Sequence, residues 1–93
     1  MKEIWRFTLS TDSVQDLRMP GGAEITAVGV QEGKISLWAG VIPKNEGEER
    51  TFELIKTGEP IKPFPDARRE LLGMVQLGRQ VYHVFEIHET VDF

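Results

Sequence analysis

The stretches Val30-Gln31-Glu32-Gly33-Lys34-Ile35 and Leu77-Gly78-Arg79-Gln80-Val81 decide the fold. Each joins two runs of alternating apolar residues, which is the pattern of strands connected by a tight hairpin turn. Glu32-Gly33 can supply the positive φ angles of a primed turn, and Gly78-Arg79 places glycine where a type II′ turn requires it. Because a two-residue hairpin joins antiparallel strands, the sequence predicts a small antiparallel β protein.

Alternation of apolar and polar residues predicts short strands over most of the chain. They cover residues 4–9, 14–19, 25–30, 35–42, 50–56, 72–77 and 81–89. The strand at 14–19 ends at Pro20-Gly21-Gly22, which is typical of a sheet edge because proline lacks the amide that a central strand donates. About seven short strands predict a single all-β sandwich, with a partly open barrel as the alternative.

The segments between the strands carry turn and loop residues. Residues 43–49 are polar and begin with proline, and residues 57–66 carry prolines at 60, 63 and 65, so both are predicted to lie on the surface. Residues 66–72 are the one stretch that could form a short helical turn, with Asp66 as N-cap. Residues 90–93 have no evident partner and are expected to fray.

Length and composition limit the class of protein. The 93 residues, 40% of them apolar, are enough for one domain with a modest core. The absence of cysteine excludes disulfides and thiolate metal sites, and a net charge of -4 argues against general nucleic-acid binding. No segment approaches the roughly 20 apolar residues of a membrane span, so we expect a cytoplasmic protein.

The sequence offers little that is typical of catalysis. It contains no nucleophile-elbow or phosphate-loop pattern. His83 and His88 are separated by an odd number of positions, so a strand places them on opposite faces, where they cannot share one metal ion. Glu86 could act as a general base only in a pocket that raised its pKa. We therefore expect no metal site, no cofactor and no enzymatic activity.

Five residues remain as candidates for binding a ligand or a partner: Trp5, Arg6, Trp38, Arg50 and His83. Tryptophan can stack on a base or anchor a protein partner, and arginine can hold an anion. Each has a structural alternative. The tryptophans and the histidine could belong to the core, and the arginines could be solvent-exposed with weak surface pairing.

Several short motifs, in a fixed order and spacing, carry a resemblance to a known family. They include Ile4-Trp5-Arg6-Phe7, Met19-Pro20-Gly21-Gly22-Ala23-Glu24-Ile25, Gln31-Glu32-Gly33-Lys34, Leu37-Trp38-Ala39 and Val81-Tyr82-His83-Val84-Phe85-Glu86. With these motifs the chain resembles a family of small proteins encoded by bacteriophages and prophages. The resemblance spans nearly the whole chain. It implies a genomic setting and no mechanism, because the family has no secure activity.

That setting favours a binding role over catalysis. We expect a phage accessory protein that inhibits or sequesters a host protein or a small anionic ligand such as a nucleotide signal. The alternative is a minor structural or assembly protein of the virion. Residues 35–42 and 81–87 are apolar on both faces, which is more apolar surface than one thin core can cover. We therefore expect a homodimer or a larger homo-oligomer.

Overall fold

The computed structural model describes residues 1–90, which form seven strands and no helix. The strands are β1 (Glu3–Leu9), β2 (Val14–Pro20), β3 (Glu24–Gln31), β4 (Lys34–Val41), β5 (Gly47–Lys56), β6 (Ala67–Leu77) and β7 (Gln80–Glu89). The predicted all-β class is confirmed. Within residues 1–90, no helix is long and apolar enough to cross a membrane.

The strands form two antiparallel sheets that do not close into a barrel. The three-stranded sheet has the order β1-β4-β3, and the four-stranded sheet has the order β2-β5-β7-β6. β2 is an edge strand, as its proline and glycines predict. Residues 57–66, which are predicted to lie on the surface, form no strand. The fraying predicted for 90–93 is a prediction about a segment of which residues 91–93 lie outside the described part of the chain.

Both predicted hairpin turns are confirmed by the backbone. Gln31 pairs with Lys34 across the β3–β4 turn, and Leu77 pairs with Gln80 across the β6–β7 turn. Glu32 and Gly33 have φ angles of 51° and 73°, as a type I′ turn requires. Gly78 has a φ of 61°, as expected for the first central residue of a type II′ turn.

The core lies between the inner faces of the two sheets. Every second residue of β4 is buried, and the same alternation on β5 and β7 places apolar side chains opposite them. The contributing residues are Ile35, Leu37, Ala39 and Val41 from the three-stranded sheet, and Phe52, Leu54, Tyr82 and Val84 from the four-stranded sheet. Two sheets that share one core make the molecule a sandwich.

β3 and β6 approach each other closely where the two sheets meet. The register of β6 shifts between Leu71 and Gly73, which marks a bulge. A Cβ atom at Gly73 would lie 2.5 Å from Cγ2 of Val28 on β3. This position therefore requires glycine, because a larger residue would push the sheets apart.

The helical turn predicted for residues 66–72 is wrong. Asp66 has a φ of 59°, and the chain then enters β6, where Ala67 pairs with Glu89 and Arg69 pairs with Ile87. Pairing with β7 therefore overrides the local N-cap signal. The loop predicted for 43–49 is also shorter than expected, because β5 begins at Gly47 and pairs with β2 from there.

Residues 57–66, here called the proline-rich strap, are tied to the outer face of the four-stranded sheet. Arg69 donates a hydrogen bond from Nη2 to the carbonyl oxygen of Lys62, and its guanidinium carbon lies 5.2 Å from the centre of the Phe64 ring. The Nε atom of Arg69 also lies 2.5 Å from Oε1 of the buried Glu53. One arginine therefore neutralises a buried carboxylate and holds the strap.

Candidate functional site

The five predicted binding residues do not form one site. Arg6 and Trp38 lie together on the outer face of the three-stranded sheet. Trp5 lies on the inner side of the same sheet, Arg50 at one end of the four-stranded sheet, and His83 on the outer face of that sheet. The alternation of each strand decides these positions.

Arg6 and Trp38 are directly opposite each other on β1 and β4. Their side chains point away from the core, since the flanking residues Leu37 and Ala39 are fully buried beneath the sheet. The indole ring lies beside Gly29 of β3, where an added Cβ atom would be 3.5 Å from Cζ3 of Trp38. The indole ring therefore lies beside β3 as well as opposite Arg6 of β1.

This outer face is open to solvent around the arginine–tryptophan pair. Ile4, which precedes the pair on β1, is 68% exposed. The Arg6 guanidinium meets Glu32 only at the limit of an ion pair, with 4.0 Å between Nη2 and Oε2. Arg6, Gly29 and Trp38, with Lys34 farther along the same side of β4, are called the outer patch below. Its surface is flat and carries two positive charges beside an indole.

Trp5 occupies a different position, because it shares the inner side of β1 with Phe7. The two rings are 6.4 Å apart between centroids and inclined by 44°. The Trp5 indole Nε1 donates a hydrogen bond of 2.9 Å to Glu3. Trp5 is 37% exposed and lies beside Phe7 at the margin of the core, whereas Phe7 packs against it.

Arg50 is engaged by protein groups rather than free to hold an anion. Its Nε lies 2.7 Å from Oε2 of Glu86 and its Nη2 lies 2.8 Å from Oε1, while Nη1 donates to the carbonyl oxygen of Ala23. The pKa of Arg50 is raised above its ordinary value, chiefly by the hydrogen bond to Glu86. This arginine ties β5 to β7 and to the start of β3.

Glu86 also lies close to Glu70 and His88. Nε2 of His88 is 2.7 Å from Oε1 of Glu70 and 3.8 Å from Oε1 of Glu86. Glu70 and Glu86 face each other across β6 and β7, an arrangement of like charges that is unfavourable without counter-charges. Arg50, Glu70, Glu86 and His88 are called the charged cluster below.

The sequence does not indicate Glu70 as a member of this cluster, because it predicts a helical turn over residues 66–72. As a strand paired with β7, the same segment places Glu70 opposite Glu86. The alternation Arg68, Arg69, Glu70, Leu71 carried no clear signal, since charged residues occupy both sides of the strand. His83 and His88 do lie on opposite faces, as the sequence predicts.

An open cleft of about 620 Å³ adjoins the charged cluster. Its polar lining consists of Asp16, Glu48, Glu49, Arg50, Thr51, Glu86, His88 and Glu89. Five of these lining residues carry a carboxylate and only two carry a guanidinium or an imidazole, so the cleft attracts cations rather than anions. We call it the acidic cleft.

His83 is half-buried on the other side of β7. Its Nε2 is 3.1 Å from the hydroxyl oxygen of Thr57, the first residue of the strap. It lines a cavity of about 220 Å³ together with apolar side chains that include Ile55, Ile61 and Phe85. His83 thus connects the sheet to the strap.

These features define a class of protein: a small open β-sandwich with a flat outer patch on one sheet and a charged cluster on the other. The sequence model of the family described as "Domain of unknown function (DUF7352)" matches residues 1–92, and the chain belongs to that family. Neither a curated protein nor a solved structure matches the chain significantly.

Proposed function

We propose that this protein acts by binding, as a bacteriophage accessory protein that captures a host protein on the outer patch and thereby inhibits or sequesters it. The observation that carries this proposal is the cross-strand pair of Arg6 and Trp38 on an open sheet face. Tryptophan and arginine are enriched among the residues that dominate the energy of protein interfaces. The phage setting is supported by the resemblance of the sequence alone.

The shape of the outer patch favours a protein partner over a small ligand. Small-molecule sites are concave and bury most of the ligand, whereas this patch is a flat sheet face with glycine beside the indole. The two cationic side chains, Arg6, which is only loosely paired with Glu32, and Lys34, favour an acidic surface on the partner. A small anionic ligand has fewer cationic groups available to bind it, because the guanidinium of Arg50 is already held by Glu86.

Binding is also the role that the remaining polar groups support. The most buried carboxylate in the charged cluster, Glu86, is paired at both oxygens with Arg50. This two-point pair joins β7 to β5, which is a structural use of the carboxylate. A host target would place the protein in the host cytoplasm.

Comparative capture from host cells tests the proposal. The wild type, Arg6→Glu, Trp38→Ala and the matched control Arg79→Ala, at the tip of the β6–β7 turn, would be expressed in the host and recovered with their partners. We expect one host protein to be retained by the wild type and the control and lost by both outer-patch variants. In an assay with purified proteins, that host protein must also bind the wild type and Arg79→Ala more tightly than it binds either outer-patch variant.

Two results would contradict the proposal. One is a partner that both outer-patch variants retain at wild-type level in the purified assay. The other is detection of the protein as a stoichiometric part of purified virions by mass spectrometry, which would favour the alternative role as a minor structural or assembly protein.

A further inference from the structure

We propose that Glu70, Glu86 and His88 form a binding site for a divalent transition-metal ion, with Zn²⁺ as the best match. One ligand atom from each residue lies within 4.8 Å of the other two. The three residues come from two adjacent strands, so the pairing of β6 with β7 sets their spacing before any ion binds.

The distances are close to those of a zinc site. In tetrahedral coordination with bonds of about 2.1 Å, ligand atoms lie about 3.4 Å apart. His88 Nε2 lies 3.8 Å from Oε1 of Glu86, and 2.7 Å from Oε1 of Glu70. Glu70 must therefore move outward by less than one ångström. Its side chain is 49% exposed, so solvent leaves room for this movement.

Arg50 prepares Glu86 for this role without consuming it. A carboxylate offers about four lone-pair positions, and the two hydrogen bonds from Arg50 use one on each oxygen. Oε1 of Glu86 keeps a second position on the side that faces His88. The Glu86 side chain is only 5% exposed, so the arginine fixes its orientation, as outer partners of metal ligands commonly do.

The donor types select the class of ion. One imidazole nitrogen with two carboxylate oxygens suits Zn²⁺ better than Ca²⁺ or Mg²⁺, which prefer oxygen ligands alone. A dication between Glu70 and Glu86 would also replace the repulsion of two carboxylates that face each other across adjacent strands.

The acidic cleft supports the same conclusion from outside the cluster. His88 and Glu86 both line the cleft, so an ion held by them has one side open to it. The excess of carboxylates among the residues that line the cleft would raise the local concentration of cations. Three protein ligands with one open position could in turn hold a carboxylate or another Lewis base of a partner.

Titration calorimetry of the full chain with ZnCl₂ alone tests the site. We expect one ion per chain, and a loss of at least about tenfold in affinity in His88→Ala and in Glu70→Gln. The matched controls are His83→Ala, on the opposite face of β7, and Glu89→Gln, in the same cleft; both should bind Zn²⁺ like the wild type. Glu86 is left unchanged because its loss would leave Arg50 unpaired.

A spectroscopic readout separates a ligand from a general acidic surface. Co²⁺ in the site should give the visible absorption of a low-coordinate ion with a nitrogen ligand in the wild type and in His83→Ala, but not in His88→Ala. Equal Zn²⁺ affinity in wild type and His88→Ala would overturn the proposal, as would tighter binding of Ca²⁺ than of Zn²⁺. The outer-patch variants should keep full Zn²⁺ binding, so this test and that of the proposed function fail independently.

Discussion

Arg50 and Glu86 form a two-point ion pair that joins the central strands β5 and β7, and only 17% of the arginine side chain and 5% of the glutamate side chain are exposed. The pair lies on the inner side of the four-stranded sheet, where Glu86 is opposite the fully buried Phe52. The ion pair therefore lies next to the apolar core, at one end of the sandwich. A buried pair of this kind is costly to break on one side, because the remaining charge loses its partner.

We predict that Arg50→Ala and Glu86→Ala each lower the free energy of unfolding by about 3 kcal/mol or more. The double variant should cost less than the sum of the two, since neither charge is then left alone. Chemical denaturation of the four proteins measures this. The control is Lys2→Ala, which breaks the exposed pair with Glu24 and should cost under about 1 kcal/mol. Additive effects would contradict the coupling.

A second prediction concerns alkaline pH. The pKa of Arg50 is raised in the folded protein by Glu86, so its stabilisation is fully present below the unfolded value and is lost only as pH rises through the higher folded value. The contribution of Arg50 to stability should therefore stay constant up to about pH 11. An unpaired lysine has a pKa of about 10.4, so the stabilisation from a lysine paired with Glu86 would begin to be lost above that pH. The difference in unfolding free energy between wild type and Arg50→Lys should widen above that pH; a constant difference would count against it.

Gly73 and Val28 give a steric prediction. Gly73→Ala would place Cβ 2.5 Å from Cγ2 of Val28, and the stiff valine side chain cannot rotate away without strain. We expect a loss of about 1–3 kcal/mol in unfolding free energy. Adding Val28→Ala should recover part of that loss. Gly29→Ala is the matched control, because its Cβ would meet Trp38 at an ordinary 3.5 Å and should be tolerated.

The strap gives a prediction about local motion. Arg69→Lys keeps the charge but loses the two-point contact with Glu53 and the planar group over Phe64, so the strap should detach more often. Hydrogen exchange of peptides from residues 57–66 should become faster, while exchange in β4 stays unchanged. Arg68→Ala, at the neighbouring exposed position, is the control. Equal exchange in wild type and Arg69→Lys would show that other contacts hold the strap.

The fold was predictable from the sequence because its turns are local. A two-residue turn with glycine in the required place fixes both the direction and the register of the strands beside it, so Glu32-Gly33 and Gly78-Arg79 define two hairpins without long-range information. The start of β6 was not predictable in this way. Asp66 is a good N-cap by itself, and only the pairing with β7 turns the following residues into a strand.

The candidate sites were less predictable for the same reason. Arg6 and Trp38 were selected separately, and nothing in their spacing showed that they would face each other, since β1 pairs with β4 across 32 positions of sequence. The charged cluster depends on Glu70, which reaches Glu86 only through the first residues of β6, where the sequence predicts a helical turn instead of a strand. Residues brought together by non-local pairing carry no signal at short range.

The last prediction is that the chain self-associates through the outer face of the four-stranded sheet. Leu71 and Met74 are 61% and 63% exposed, and they face Phe85 and His83 across β6 and β7. Ile61 of the strap, which lines a cavity with Phe85 and His83, adds a third exposed apolar side chain on this face. Two copies that meet across a two-fold axis would bury these apolar side chains against each other.

Light scattering at high micromolar concentration should give the mass of a dimer for the wild type and of a monomer for the double variant Leu71→Ser, Met74→Ser. Ile4→Ser is the matched control, because this equally exposed side chain lies on the other sheet and should leave the dimer intact. Leu71 and Met74 are both exposed, so the double variant should lose only the part of its melting temperature that association contributed. A wild type that stays monomeric at this concentration, or a double variant that stays dimeric, would contradict the assignment of this face.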